Sequence, residues 1–257
     1  MKENKKSVQS VDRALKIIEI VKDRPNGIGV TELSDILNVS KSTVHRLLMS
    51  LYKADFIQQN SENKKYFLGL RFIELGEIVS RKLDIQELVH PFLQELGEVT
   101  DETAHLAIKN RNQIFYIDKI ESSKTIRMFS NIGKRAPMYC TGIGKAVLAF
   151  LPENEIKQVL AETELIKYTD NTLTTKAEIL QELEEIRDRG YAIDNEEHEL
   201  KIKCAAAPIL NYKKEVVAGI SVASPVMRLD EEKFKIIINE VLKASKKASE
   251  KLGYVAE

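Results

Sequence analysis

The feature that most constrains the fold is a pair of short amphipathic segments joined by a tight turn. The first opens at Thr31, and its apolar positions are Leu33, Ile36 and Leu37. The second opens after Ser40, a good helix N-cap residue, and its apolar positions are Val44, Leu47, Leu48 and Leu51. Asn38 lies between them and tolerates the left-handed conformation that tight turns need. Two short helices joined in this way predict a helix-turn-helix.

The flanking segments extend this pattern to a complete small domain. An earlier amphipathic segment has Ser10 as its predicted N-cap and an apolar stripe of Val11, Ala14, Leu15, Ile18 and Val21. After the helix-turn-helix, two β-like stretches enclose the polar turn 60–65, which predicts a hairpin with a basic tip. We therefore expect residues 1–70 to form a winged helix-turn-helix domain.

The charge of the chain is distributed unevenly, although its net charge is zero. The first 72 residues contain 13 Lys and Arg against 8 Asp and Glu, and the remainder contains 26 against 31. A basic first domain favours a polyanionic partner for that part only. No apolar run approaches the roughly 20 residues of a membrane span, and two distant cysteines indicate no disulfide framework. We expect a cytoplasmic protein with no membrane partner.

The rest of the chain mixes helices and strands. A helical linker is predicted over 71–84, followed by a domain over 85–257. The predicted strands are Thr103–Ile108, Ile114–Ile120, Thr125–Phe129, Tyr191–Asp194, Ile202–Pro208 and Val216–Ser224. Helices are predicted over about 143–151, 153–162 and 176–189, with a last long one from Phe234 to Leu252. Runs of strands and of helices predict an α+β domain with a mostly antiparallel sheet.

The exposed side of the second helix of the helix-turn-helix has the composition of a DNA-reading surface. Arginine can bind guanine through two hydrogen bonds, and hydroxyl side chains can reach bases or phosphates. Lysines at the tip of the wing can neutralise phosphates. The predicted DNA-binding residues are Ser40, Lys41, Ser42, Thr43, His45, Arg46, Asn63, Lys64, Lys65 and Tyr66. The alternative is a solvated face of an interaction module that does not touch DNA.

Four segments resemble the IclR-type family of bacterial regulators. Ser10–Ile18 resembles the opening helix of the family, and Val39–Leu48 resembles its recognition helix. Met138–Ala149 resembles a motif of its effector domain, and Gly190–Leu200 followed by Cys204–Pro208 resembles a second one. The resemblance covers nearly the whole chain, and the four segments occur in the family's order.

The resemblance implies both an architecture and partners. It implies a winged-helix domain, a linker helix and a GAF-like effector domain. It also implies homodimers, often paired into tetramers, that bind double-stranded DNA at partly palindromic operators. Family ligands are small organic acids, sugar-acid derivatives or aromatic acids. A repressor is favoured over an activator.

A candidate effector pocket follows from the residues and from the resemblance. The segment Cys140–Ala146 places glycines at the start of a helix, where free N–H groups and the helix dipole suit a carboxylate. Its spacing matches neither a P-loop nor a G-x-G-x-x-G fingerprint. Along the predicted strand Val216–Ser224, side chains alternate between two faces, and one face carries small residues that include Ser221. The resemblance adds the positions that line the pocket in family members. The predicted effector site is Thr141, Gly142, Ile143, Asp194, Cys204, Ser221 and Ala223.

Two departures from the family and one alternative qualify this pocket. Ala223 stands where the family often has a second serine, which removes one polar contact. Lys201 stands where glycine is usual, and it places a cation either at the rim or in solvent. The alternative is that Cys204 and Ser221 are ordinary core residues and that the glycines only allow close packing.

An enzyme is the main alternative function. It would use Cys204 and Asp194, with the winged helix as an interaction module. No spacing links these residues, or His105 and His198, into a catalytic triad or a metal site. We therefore predict a regulator with no catalytic residues, no metal and no cofactor.

Overall fold

The computed structural model describes residues 8–81, 84–124 and 131–255. The chain forms two compact units, which divide between residues 83 and 84. The predicted strand Thr125–Phe129 lies outside the described residues. Within the described ranges, no helix is long and apolar enough to cross a membrane.

The N-terminal unit has the predicted helix-turn-helix followed by a hairpin. Its elements are α1 (Gln9–Lys22), α2 (Val30–Leu37), α3 (Lys41–Lys53), β1 (Ile57–Gln59), β2 (Tyr66–Leu68) and α4 (Arg71–Arg81). The two strands are antiparallel. Between α2 and α3, Asn38 has a left-handed φ of 50°, and the Ser40 side chain accepts a hydrogen bond from the Thr43 N–H, as expected. Leu33, Val44 and Leu48 meet in the core of this unit.

The first helix differs from its prediction at its start and in part of its buried face. It begins at Gln9 with Val8 as N-cap and no side-chain cap, so the predicted capping role of Ser10 is wrong. Val11 and Leu15 are 53% and 57% exposed. The fully buried positions are Ile17 and Val21. Val21 is buried as predicted, and Ala14 and Ile18 pack against the core, so the predicted stripe is wrong only at Val11 and Leu15.

The C-terminal unit is built on one antiparallel sheet. Its elements are α5 (Asp84–Thr100), β3 (Thr103–Asn110), β4 (Gln113–Ile120), β5 (Arg135–Pro137), α6 (Gly142–Ala149), α7 (Glu153–Glu162), α8 (Lys176–Arg189), β6 (Ala192–Asn195), β7 (Ile202–Leu210), β8 (Val216–Pro225) and α9 (Glu231–Lys251). The sheet order is β5-β4-β3-β8-β7-β6, and every pairing is antiparallel. The α+β class is confirmed.

Helices cover both faces of this sheet. Cys204 on β7 faces the start of α6, where the Gly142 backbone approaches it closely. Its neighbour Lys203 points the other way, and its Nζ lies 4.2 Å from the centroid of the Phe234 ring on α9. Successive residues of a strand point to opposite faces, so α6 and α9 lie on opposite sides of the sheet. All eight residues of α6 are buried, which makes it the central helix of its layer.

Candidate DNA-binding face and effector pocket

The N-terminal half of α3 presents a polar and basic side to solvent. Lys41, His45 and Arg46 are exposed, and none of them forms an ion pair with another described residue. The apolar positions of the same helix are turned into the core, which fixes the direction of the exposed side. This side is free to contact an anionic partner.

The hydroxyl groups at the start of α3 form a small hydrogen-bonded cluster. The Ser40 Oγ lies 2.9 Å from the Ser42 Oγ and 3.0 Å from the Thr43 Oγ1. Ser40 and Ser42 are both exposed and Thr43 is half-buried, and the Ser40 side chain is engaged in capping the helix. Of these three predicted contacts, Ser42 is the exposed hydroxyl that does not cap the helix.

The turn of the wing is held by its own side chains. The Asn63 Oδ1 accepts a hydrogen bond from the Lys65 N–H at 2.9 Å, and Lys64 adopts a left-handed φ of 58°. Lys64 is exposed and Lys65 is half-buried. Tyr66 differs from the prediction: it is 3% exposed and belongs to the core of the unit. We therefore leave Tyr66 out of the proposed DNA-contacting set.

The C-terminal unit contains a cavity of about 190 Å³ between α6 and one face of the sheet. The seven predicted effector residues all line it: Thr141, Gly142, Ile143, Asp194, Cys204, Ser221 and Ala223. Strand pairing explains this convergence, because Asp194 is opposite Cys204 and Cys204 is opposite Ala223 in the register. Lys201 is exposed, has a left-handed φ of 66° and is not in the wall of the cavity.

The start of α6 supplies backbone N–H groups to this cavity. Thr141 caps the helix: its Oγ1 accepts a hydrogen bond from the Gly144 N–H and donates one to the Pro137 carbonyl at 2.6 Å. The Gly144 N–H is therefore engaged. The N–H groups of Gly142 and Ile143 bond to no other described residue and lie at the cavity wall.

The two glycines of α6 serve different purposes. A Cβ at Gly144 would lie 2.6 Å from the Cα of Met138, so this glycine allows close packing, as the alternative interpretation supposed. A Cβ at Gly142 would meet the Cβ atoms of Cys204 and Asp194 at 3.3 and 3.4 Å. Gly142 thus brings the end of α6 against the polar wall of the cavity.

Asp194 is a buried carboxyl group held by the loop that follows β6. Its Oδ1 accepts a hydrogen bond from the Glu197 N–H at 2.7 Å. Burial, with a contribution from the Glu197 carboxylate, raises the pKa of Asp194 to about 7. Near neutral pH, this group therefore exists in both its protonated and its ionised forms.

The cysteines and the buried histidine have environments unsuited to nucleophilic chemistry. Burial and the nearby Asp194 raise the pKa of the Cys204 thiol well above its usual value, and burial raises that of Cys140 to about 12. A thiol attacks as its thiolate, so both cysteines are unreactive at neutral pH. Burial and Lys119 lower the pKa of His105 to about 3. These observations argue against an enzyme based on Cys204 and Asp194.

The structure adds cavity residues that the sequence did not identify as ligand contacts. His105 on β3 pairs with Ser221 on β8, and its ring lies 5.2 Å from that of Tyr116 on β4. His198 comes from the loop after β6, and its ring lies 4.9 Å from that of Tyr168. The remaining additions are Lys134, Arg135, Ala136, Glu199 and Ile202. In the described part of the chain, no cluster of three His, Cys, Asp or Glu residues could hold a metal ion.

Comparison with known proteins covers both units. Residues 10–61 match the family model of the IclR helix-turn-helix domain, and residues 78–250 match that of the bacterial transcriptional regulator IclR C-terminal domain. The chain is 36% identical over 251 residues to the HTH-type transcriptional regulator KdgR of Escherichia coli strain K12. This match covers 97% of this chain and 95% of KdgR.

Two further similarities concern a curated repressor and a solved structure. The HTH-type transcriptional repressor AllR of Escherichia coli strain K12 is 32% identical over 229 residues, covering 89% of this chain and 84% of AllR. The crystal structure of the Thermotoga maritima IclR superposes with a TM-score of 0.80 at 34% identity. That match covers 96% of this chain and 99% of the Thermotoga chain.

Proposed function

Because this chain belongs to the IclR family of bacterial transcriptional regulators, we propose that it represses transcription from a specific operator and that a small carboxylate controls its affinity for that operator. The prediction of a regulator rather than an enzyme is confirmed by the family and its relatives. The repressor assignment is supported by AllR, which is named a transcriptional repressor.

The observation that carries the DNA-binding proposal is the exposed, unpaired basic side of α3. Arg46 projects from the first half of this helix and can bind guanine O6 and N7 together. Lys41, at the start of α3, and Lys64, on the wing, supply charges that can neutralise phosphates on either side. The operator is expected to be partly palindromic if the protein binds as a homodimer or as a pair of dimers.

The carboxylate proposal is supported by the start of α6. Gly142 and Ile143, at the positive end of the helix dipole, line a cavity of about 190 Å³, and their N–H groups are not bonded to other described residues. That volume suits a small organic acid rather than a large ligand. Ala223 replaces a polar contact with a methyl group, so we expect an effector with an apolar carbon chain at that end.

The test is fluorescence anisotropy of the protein on duplexes from its own upstream region. Arg46→Ala is expected to weaken specific binding by about 5- to 160-fold, since a bidentate base contact contributes about 1–3 kcal/mol. Lys157→Ala removes one exposed cation from α7 in the C-terminal unit and serves as the matched control. If Arg46→Ala binds the operator and random DNA as tightly as the wild type does, the proposed role of α3 is refuted.

A further inference from the structure

Lys145 is the one charged residue of the helix that begins at the effector cavity. Every residue of α6 is buried, and its other members are glycines or apolar residues. Lys145 itself is 1% exposed and is not in the wall of the cavity. It follows Gly142 by three residues, so it lies about one helical turn beyond the cavity. The packing of α6 alone does not explain a charge in this position.

The ammonium group of Lys145 joins α6 to two other parts of the C-terminal unit. Its Nζ lies 2.5 Å from the Oε1 of Glu197, in the loop after β6, and 3.3 Å from the Oε1 of Glu182 on α8. Glu182 also binds Arg189, at 2.8 Å. Among the described residues, Glu197 has no cation other than Lys145. The ion pair of Lys145 with Glu197 therefore ties α6 to the loop after β6.

The loop after β6 forms part of the cavity wall and is organised around Glu197. The Glu197 N–H donates to the Oδ1 of Asp194 at 2.7 Å, and the Glu197 carbonyl accepts a hydrogen bond from the Thr172 Oγ1 at 2.5 Å. The next residue, His198, lines the cavity, and its ring lies 4.9 Å from that of Tyr168. The carboxylate of Glu197 makes the remaining contact of this residue, and that contact is directed toward α6.

The stability of the fold does not require an ion pair at this place. An apolar pair of similar volume is often as stable or more stable, because each buried charge loses its hydration. The Oε2 of Glu197 is buried and lacks a hydrogen-bond partner among the described residues, which adds to the cost. Sequences usually keep such costly groups inside a core at functional sites.

An ion pair provides a defined geometry that apolar contacts do not. A carboxylate and an ammonium group bind at hydrogen-bond distance and in a preferred direction, whereas apolar side chains can slide past one another. The pair of Lys145 with Glu197 thus fixes the spacing between α6 and the loop after β6, and both elements line the cavity.

We propose that Lys145 is a positioning residue of the effector pocket, because through Glu197 it holds the loop after β6 at the distance from the start of α6 at which the effector binds. This inference rests on the proposed control by a small carboxylate. It adds a residue that lies outside the cavity and that sets the affinity for the effector without touching it.

The variant Lys145→Met/Glu197→Gln separates positioning from stability. It removes both charges, so it is expected to regain most of the stability that Lys145→Met alone loses. It does not regain the ion pair, and loss of the groups that hold binding residues in place typically weakens metal binding by about 10- to 100-fold. We therefore expect a dissociation constant for the effector that is at least about tenfold higher than in the wild type.

Two control variants show whether lower stability or a lost surface charge has the same effect. Val241→Ala removes methyl groups from the buried side of α9, on the opposite face of the sheet, and destabilises the same unit away from the cavity. Lys157→Met removes a lysine from an exposed ion pair on α7. Both variants are expected to bind the effector as tightly as the wild type does.

The experiment combines two measurements on the full-length proteins. Isothermal titration calorimetry with straight-chain carboxylates from acetate to hexanoate finds the tightest binder of the wild type, which is then titrated into each variant. Amide hydrogen exchange, read by mass spectrometry without ligand, reports the order of the loop 195–199. In the double variant we expect exchange in this loop to be at least about tenfold faster, with exchange in α9 unchanged.

The outcomes separate this inference from the proposed function. Wild-type affinity in the double variant overturns the role of Lys145 and leaves the effector class standing. An equal loss of affinity in Val241→Ala also overturns it, because the effect then follows stability. If no carboxylate binds the wild type while operator binding is intact, the proposed effector class fails. Hydrogen exchange then decides the inference, and unchanged exchange in the loop 195–199 overturns it.

Discussion

Replacing Lys145 by methionine should destabilise the C-terminal unit more than any exposed substitution. Lys145 is 1% exposed and bridges the carboxylates of Glu197 and Glu182. Glu182 would keep Arg189 as a partner at 2.8 Å. Glu197 would keep no cation among the described residues, and its Oε2 already lacks a hydrogen-bond partner.

The expected loss follows from the charge that is left behind. Removing one partner of a buried ion pair typically costs about 3–5 kcal/mol, because the other charge stays buried and uncompensated. The variant Lys145→Met/Glu197→Gln removes both charges and should recover most of that loss. Lys157→Met breaks an exposed pair on α7 with Glu153 and should cost less than about 1 kcal/mol.

The assay is urea unfolding of the full-length protein, followed by circular dichroism and by tyrosine fluorescence, since the chain has no tryptophan. Two units can unfold in separate transitions, so the comparison uses the transition that Lys145→Met shifts. A loss below about 1 kcal/mol for Lys145→Met would refute the reasoning, as would a double variant no more stable than the single one.

Three further predictions concern other parts of the molecule. Gly144→Ala places a Cβ 2.6 Å from the Cα of Met138 and should destabilise the protein by about 1–3 kcal/mol in urea unfolding; an unchanged midpoint would contradict the packing described. Lys64→Ala on the wing should weaken operator and random DNA alike and lower the salt slope of binding by about one; a selective loss on the operator would mean that Lys64 reads bases. Asp194 has a pKa of about 7, raised by burial, so the folded protein binds more protons than the unfolded chain, and wild-type stability should fall relative to Asp194→Asn as pH rises from 4 through 7. Parallel stability profiles of the two proteins over that range would contradict the burial of this group.

The local parts of the fold were predictable from the sequence. The turn at Asn38 and the cap at Ser40 follow from the preferences of single residues, and the structure contains both. The buried side of α1 followed only in part: Val21 is buried as predicted, whereas Val11 and Leu15 are apolar yet exposed. The strand β5 has only three residues, too few for a periodic signal, and it was not predicted.

The effector pocket was predictable only where the sequence has a motif or an alternating pattern. Residues of the small face of β8 and of the glycine segment at the start of α6 line the cavity. His105 was not assigned to it, because the pairing of β3 with β8 joins His105 to Ser221 across 116 positions of sequence. The ion pairs of Lys145 with Glu182 and Glu197 were not predicted for the same reason. They form only because the tertiary fold brings α6, α8 and the loop after β6 together.

The central claim is that a carboxylate bound in the C-terminal unit controls specific DNA binding by the N-terminal unit. The most direct test is fluorescence anisotropy of the wild-type protein on its upstream duplex, with and without a saturating carboxylate, over a range of salt concentrations. We expect submicromolar binding that exceeds binding to random duplex, weakens steeply with salt and changes when the carboxylate is added. Binding that equals that of random DNA and is unaffected by every carboxylate would contradict the account.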